Sequence, residues 1–289
     1  MERLCDGTEG NKGETFRIKK IPHVVKLSTV IITWNAAKYV NRCFDSLFAA
    51  TESLDSEIIV VDNGSTDDTL SLIEKYCSRG NVQIERLDRN TGVAHARNVG
   101  IRKCKGDYVW ILDIDTEVNK VALDAMLEYM DSNPACGLCG CKLINAAGEV
   151  QESCRKFPSL KYKFLNVLST FASNLSLKKL EKQVALANEK QFYHSLVSGT
   201  EPFEVEYVIG ACQVVRREMF ERVGMLDDNI FYGPEDADFC LRIAQAGYKV
   251  VYLPSVSILH DYQRMTNKKL FSRMSLLHLK ALCYYWWKH

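Results

Sequence analysis

Two aspartates one residue apart, Asp113 and Asp115, close the run Tyr108-Val109-Trp110-Ile111-Leu112. That run is apolar, aromatic and β-branched, and Gly106-Asp107 introduces it, so it reads as a strand buried on both faces. Carboxylates placed where such a strand ends stand at the carboxyl edge of an open sheet, where α/β folds bind ligands. Side-chain alternation sends Asp113 and Asp115 to one side and Ile114 to the other, into the core. Two hard oxygen donors converging there suit Mg²⁺ or Mn²⁺, and such a cation suits a diphosphate. The plainer reading is a pair of acids that cap the next helix or sit in a solvated turn, since D-x-D recurs by chance. A second acidic pair, Glu235-Asp236, follows the turn Phe231-Tyr232-Gly233-Pro234 and opens a helix. It offers a proton acceptor for general-base work, or merely first-turn acids favoured by the helix dipole. Taken alone, His260 reads as a structural histidine, and Arg97 as a counter-ion to Asp62 or to a helix face.

These groups need elements to hold them. Residues 27–33 form an apolar strand broken at Trp34-Asn35-Ala36, and Tyr39, Val40, Cys43, Phe44, Leu47 and Phe48 follow at helical spacing. A second strand, 57–61, ends at Asp62-Asn63-Gly64, and Leu70, Leu72, Ile73 and Tyr76 mark an amphipathic helix. A short strand over 82–87 precedes the polar turn 88–92, which opens a helix through Arg97. The Asp113/Asp115 strand comes next, then a helix carrying Val121, Leu123, Met126, Leu127 and Met130. Strands alternating with helices in this way predict a doubly wound, mostly parallel sheet. Right-handed crossovers then line up Thr33, Asp62 and Asp113 along one rim.

Beyond Pro134 the character changes. Residues 136–145 and 149–155, joined by Ala146-Ala147-Gly148, predict a β-hairpin. Residues 157–203 are basic and aromatic without a clear period and read as a helical insertion or a long functional loop. Strand character returns over 204–215, a short helix covers 216–223, and a longer one runs from Glu235 to Ala246. A last strand covers 249–253, with His260 just past it. The final stretch, 263–289, is an amphipathic helix mixing Leu, Tyr and Trp with Lys, Arg and His. It is too polar to span a bilayer. It either lies on a membrane surface, packs on its own domain, or forms a homodimer interface.

The 289 residues suit one large domain, and 47% hydrophobic with 25% charged residues is the composition of a globular protein. Lys and Arg number 37 against 36 Asp and Glu, so no net field favours a polyanion and nucleic acid is not an expected partner. Eleven cysteines are scattered apart from Cys136, Cys139, Cys141 and Cys154. C-x-x-C is a zinc spacing, but a second pair is missing and the run is strand-like, which favours thiols acting as core residues. Residues 1–26 are polar, without an apolar h-region, and read as a flexible lead-in. The expected location is the cytoplasm, with peripheral contact at the inner face of the cell membrane if the tail binds lipid.

Read together, Ile31-Ile32-Thr33-Trp34-Asn35, Val60-Val61-Asp62-Asn63-Gly64-Ser65-Thr66-Asp67, Asn90-Thr91-Gly92-Val93-Ala94-His95-Ala96-Arg97-Asn98, Leu112-Asp113-Ile114-Asp115 and Gly233-Pro234-Glu235-Asp236-Ala237-Asp238 resemble family 2 glycosyltransferases of the GT-A fold, in particular the rhamnosyltransferase-like members. The resemblance implies an α/β fold: a Rossmann-like, mostly parallel sheet flanked by helices, with a smaller antiparallel sheet on the acceptor side. It implies one transferase domain over 27–262, with a nucleotide-binding half (27–131) and an acceptor half (132–262). It further implies inverting, metal-dependent transfer of a sugar from a nucleoside diphosphate to a hydroxyl of a glycan or lipid-linked precursor. By the same resemblance Thr33, Asn35, Asp62, Arg97 and Asp113 would hold the nucleotide sugar. Asp115, with Asp113 and His260, would hold Mg²⁺ or Mn²⁺, Asp236 would be the general base, and Glu235 would orient the acceptor. Ile114 departs from relatives that carry an acid there. A sugar nucleotidyltransferase and a non-catalytic sugar-nucleotide or glycan-binding module are the alternatives. The first is disfavoured by the lack of a glycine-rich phosphate loop after the first strand, the second by the full acidic set.

Overall fold

The computed structural model describes residues 25–160, 192–261 and 273–289. Residues 1–24 of the lead-in, 161–191 of the basic segment and 262–272 before the tail lie outside the described residues.

Three parallel strands form the first half of the main sheet: β1 (Leu27–Thr33), β2 (Ser56–Asp62) and β3 (Val82–Arg86). β4 (Tyr108–Asp113) joins β1 on its other side, also parallel. The intervening helices are α1 (Ala37–Thr51), α2 (Thr69–Glu74) and α3 (Val93–Ile101). β4 shows why an uninterrupted apolar run is needed here. Tyr108, Trp110 and Leu112 enter the core layer that holds α1 residues Val40, Phe44 and Leu47, while Val109 and Ile111 enter the layer that holds Ala94 and Ile101 of α3. A strand covered on both faces has no position left for a polar residue until it ends. It ends at Asp113.

The elements after Asp113 close the site. β5 (Thr116–Glu117) follows within three residues, and α4 (Lys120–Ser132) starts from Asn119, whose side chain accepts from Ala122 N–H. β6 (Cys136–Ile144) and β11 (Lys249–His260) run parallel to each other, and β5 pairs antiparallel with the end of β11, His260 opposite Thr116. β10 (Cys212–Arg216) lies antiparallel between β4 and β6. The strand order is β3-β2-β1-β4-β10-β6-β11-β5, and β8 (Phe203–Glu204) pairs with β11. A separate two-stranded antiparallel sheet joins β7 (Cys154–Arg155) to β9 (Tyr207–Val208). The mostly parallel sheet with a smaller antiparallel one agrees with expectation.

The predicted hairpin over 136–155 is reduced to its turn. One bridge, Ile144 to Val150, is formed, and β7 turns away to pair with β9. β6 already has β10 and β11 on its two edges, so no edge remains for a full return strand. The predicted strand over 204–215 is divided into β8, β9 and β10 by the turns between them. His260 is the last residue of β11 rather than a residue beyond it.

The remaining described helices are α5 (His194–Val197), α6 (Glu218–Arg222), α7 (Glu235–Gln245) and α8 (Arg273–Lys288). α8 packs on its own domain. Ala281, Leu282 and Tyr285 are buried, and Lys288 Nζ donates to Asp227 Oδ2 at 2.7 Å and to Asp238 Oδ1 at 2.6 Å. Trp286 Nε1 donates to the Pro158 carbonyl at 2.9 Å. Among the described residues no helix is long and apolar enough to cross a membrane. Cys136, Cys139, Cys141 and Cys154 are buried free thiols, as expected of core residues, and burial pushes Cys136 up to about 12.

Candidate active site

The strand register places Thr33 of β1 beside Asp62 of β2 and Ile32 beside Asp113 of β4, so the three polar ends share one rim. Thr33 is 2% exposed, and its hydroxyl has no hydrogen-bond partner among the described residues. Asp62 accepts from Ser65 N–H through both oxygens, at 3.3 and 3.2 Å. Asn35 takes φ 49, and its side-chain oxygen accepts from Thr66 N–H at 2.8 Å. It therefore fastens the loop after β1 to the loop after β2.

Asp115 sits in the turn between β4 and β5, not in the strand itself. Ile114 still points inward, 9% exposed in the α1-side core, so the two carboxylates stay on the open side. The β5–β11 pairing brings in His260, whose Nε2 lies 3.4 Å from Asp115 Oδ1. Asp113, Asp115 and His260 can each offer one donor atom with all such atoms within 4.8 Å of one another. Among the described residues they form the one such group, which the Cys136–Cys154 run does not. Burial pushes Asp113 upward and Asp115 adds to this, against the pull of Arg97. Burial works against an imidazolium at His260, but hydrogen bonding and charge from Asp115 outweigh it and the ring titrates above the usual histidine range. Two crowded carboxylates and an imidazole are hard and borderline donors that fit Mg²⁺ or Mn²⁺. A cation held by these three groups would keep coordination positions for further oxygen donors.

Arg97 connects this group to the second acidic pair. It projects from α3 and is 4% exposed. Nη2 donates to Asp113 Oδ1 at 2.7 Å and to the Gly210 carbonyl at 2.8 Å, while Nη1 donates to Glu235 Oε1 at 3.3 Å. Gly210 N–H in turn donates to Asp236 Oδ2 at 3.2 Å. Glu235 is 6% exposed, and its Oε2 has no hydrogen-bond partner among the described residues. Burial, and then the charge of Asp236, raise its pKa to about 7 against Arg97. Asp236 is only half-buried and opens toward solvent at the start of α7. One carboxylate is thus buried and paired with an arginine, and its neighbour is accessible. Arg242 pairs with Asp238 at 2.8 Å, as its spacing on α7 predicts.

Asn63 carries a part the sequence reading left out. Its Oδ1 accepts from Thr91 N–H at 2.8 Å, and its Nδ2 donates to the Gly92 carbonyl at 3.2 Å, tying the loop after β2 to the start of α3. Asparagine directly after a rim aspartate was the available signal, since its side chain can both donate and accept across a gap between loops.

A mostly parallel sheet bearing an acidic rim, with a smaller antiparallel sheet beside it, is the GT-A architecture of sugar-nucleotide transferases. Solved structures agree. The chain superposes with TM-score 0.63 on GalNAc-T7 with UDP, GalNAc and Mn²⁺ (18% identity, 90% of this chain, 47% of that one). It superposes with TM-score 0.56 on the mannosyltransferase PcManGT from Pyrobaculum calidifontis in complex with GDP-Man and Mn²⁺ (20% identity, 83% of this chain, 58% of that one). The sequence profile described as glycosyl transferase family 2 matches residues 28–224, and the chain belongs to that family. It is 27% identical over 283 residues to the N-acetylglucosaminyl-diphospho-decaprenol L-rhamnosyltransferase of Mycobacterium tuberculosis (91% of this chain, 86% of that protein). It is 25% identical over 261 residues to rhamnosyltransferase WbbL of Escherichia coli K12 (87% of this chain, 89% of that protein).

Proposed function

We propose that this glycosyltransferase moves a sugar, with rhamnose as the first candidate, from a nucleoside diphosphate to a hydroxyl of a glycan or lipid-linked precursor, with inversion. The observation that carries this is the pairing of Asp113, Asp115 and His260 on one side of Arg97 with Glu235 and Asp236 on the other. The rhamnosyl donor and lipid-linked acceptor are suggested by the names of relatives that match over most of both chains.

Thr33, Asn35, Asp62, Arg97 and Asp113 would hold the nucleotide sugar, and Asp113, Asp115 and His260 would hold the divalent cation. When bound, such a cation supplies positive charge to the departing diphosphate, acting as a Lewis acid. Arg97 aims Asp113 through a direct hydrogen bond, its charge working against the upward push of burial, and holds Glu235 beside the acceptor position. An acceptor hydroxyl is a poor nucleophile near neutral pH. Asp236 takes its proton as the oxygen bonds to the anomeric carbon and the carbon–diphosphate bond breaks on the opposite side. A lipid-linked acceptor would bring the chain to a membrane surface, and Leu276, Leu279 and Trp287 are exposed apolar residues of α8 that would meet it.

Asp236→Asn tests the base. Transfer is expected to fall at least about 10²-fold while calorimetric donor affinity stays unchanged. Wild-type turnover in that variant would show that Asp236 is not the base.

A further inference from the structure

Gln151 lies outside every block that resembles the family, yet both ends of its amide are spent on one residue. One end is 2.7 Å from the His260 carbonyl oxygen and the other is 2.7 Å from His260 Nδ1. A backbone carbonyl only accepts, so the atom facing it is the amide nitrogen. The atom facing the ring is then the amide oxygen, which only accepts, so Nδ1 carries a hydrogen. In a neutral imidazole that arrangement puts the lone pair on Nε2. Nε2 is the nitrogen that faces Asp115.

Local structure explains how Gln151 gets there. β6 and β11 run in parallel with Ile144 opposite Leu259, so the end of β6 stands beside His260. The chain then turns through Asn145–Gly148, where Asn145 Oδ1 accepts from Ala147 and Glu149 N–H and Gly148 takes φ 78. A positive φ there suits glycine. The returning residues make a single bridge, and Gln151 N–H donates to the Leu143 carbonyl at 2.8 Å. This truncated hairpin therefore ends with one side chain set against β11.

We propose that Gln151 is a positioning residue of the divalent-cation centre, fixing the ring orientation and tautomer of His260 so that Nε2 meets the ion. The inference rests on the reading of Asp113, Asp115 and His260 as cation ligands. Partners on the far nitrogen of a ligating histidine commonly change metal affinity by about 10–100-fold when removed.

The test is Mn²⁺ affinity of the full chain, read from the electron paramagnetic resonance signal of free Mn²⁺ without any turnover. Wild type is expected to bind and Asp115→Ala to lose binding. Gln151→Met, which has similar bulk and no amide, is expected to bind Mn²⁺ about 10–100-fold more weakly. Gln151→Glu keeps an acceptor for Nδ1–H and is expected to stay near wild type. Circular dichroism melts confirm that each variant folds. Should Gln151→Met not fold, Gln151→Asn, one methylene short of the ring, carries the same expectation. Wild-type affinity in the folded Met or Asn variant would overturn the proposal, as would equal weakening in the Glu variant, which would assign the effect to the His260 carbonyl contact. No Mn²⁺ binding by the wild type would remove the metal centre itself, and the role of Gln151 with it.

Discussion

At the scale of single residues, the site is a set of carboxylates whose neighbours push them apart in behaviour. Asp113 is held by Arg97, Asp115 faces His260, Glu235 is buried with its pKa raised to about 7, and Asp236 stays accessible. The raised value at Glu235 has a direct consequence for stability. Between the usual glutamate value of 4.5 and about 7, the folded chain keeps a proton that the unfolded chain has released. Stability from this group therefore falls as pH rises across that window and stays low above it. Glu235→Gln removes the titration. Its melting temperature relative to wild type is expected to rise from about pH 5 to about pH 8. Parallel pH profiles for the two proteins would show that Glu235 is not buried in this way. The acids themselves were legible in the sequence because each stands at the end of a recognisable element. The part played by Arg97 was not. Periodicity puts it on α3, but nothing local says that its guanidinium will join Asp113, Gly210 and Glu235, which are distant in sequence. Three protein partners hold its guanidinium, in addition to the nucleotide contact that the resemblance implies for it.

At the scale of elements, the centre depends on how short connections meet. β5 is only two residues long, yet its pairing with β11 is what brings His260 to Asp115. Two residues are too few to reveal such a strand, because alternation needs several positions to show itself. The strands of the first half were readable for the opposite reason: they are long and buried on both faces. The hairpin expected over 136–155 failed because both edges of β6 were already taken, a fact of topology and not of local sequence. Gly210, between β9 and β10, tests the close approach. A Cβ there would lie 2.2 Å from Arg97 Nη1 and 2.8 Å from Cζ. Gly210→Ala is expected to displace the guanidinium and to cost about 1–3 kcal/mol, measured as a lower urea midpoint at unchanged slope. An unchanged midpoint would mean that Arg97 is free to move, contrary to its three contacts.

At the scale of the whole molecule, the C-terminal helix locks the acidic helix α7 in place. Asp238 is fully buried and is met by Arg242, Lys288 and His289. Composition alone left the tail open, since leucine and aromatic residues mixed with lysine serve equally for a membrane surface and for packing on a domain. The deciding partners, Asp227 and Asp238, lie far from it in sequence. Lys288→Met is expected to cost about 1.5–3 kcal/mol, the range for a hydrogen bond to a charged group, by denaturant unfolding near neutral pH. Burial alone would raise Asp227, but hydrogen bonds from Lys288 and Asn229 outweigh it and lower its pKa to about 2. A lowered folded value stabilises above the unfolded carboxylate range and is lost as pH falls through the folded value. The gap between wild type and Lys288→Met should therefore close between about pH 4 and about pH 2. A gap that is absent near neutrality, or constant into acid, would contradict the latch.

The proposed function has one central claim: the rim of Thr33, Asp62 and Asp113, with Asp115 and His260, binds a nucleoside diphosphate together with a divalent cation. Thermal shift with UDP, dTDP and GDP and their sugars, with and without Mn²⁺ or Mg²⁺, tests it most directly. A ligand at about one hundred times its dissociation constant stabilises the fold by roughly 2.7 kcal/mol. The expected result is a rise in melting temperature for one nucleotide, present only with metal and lost in Asp115→Ala. No rise with any nucleotide when metal is present would contradict the claim.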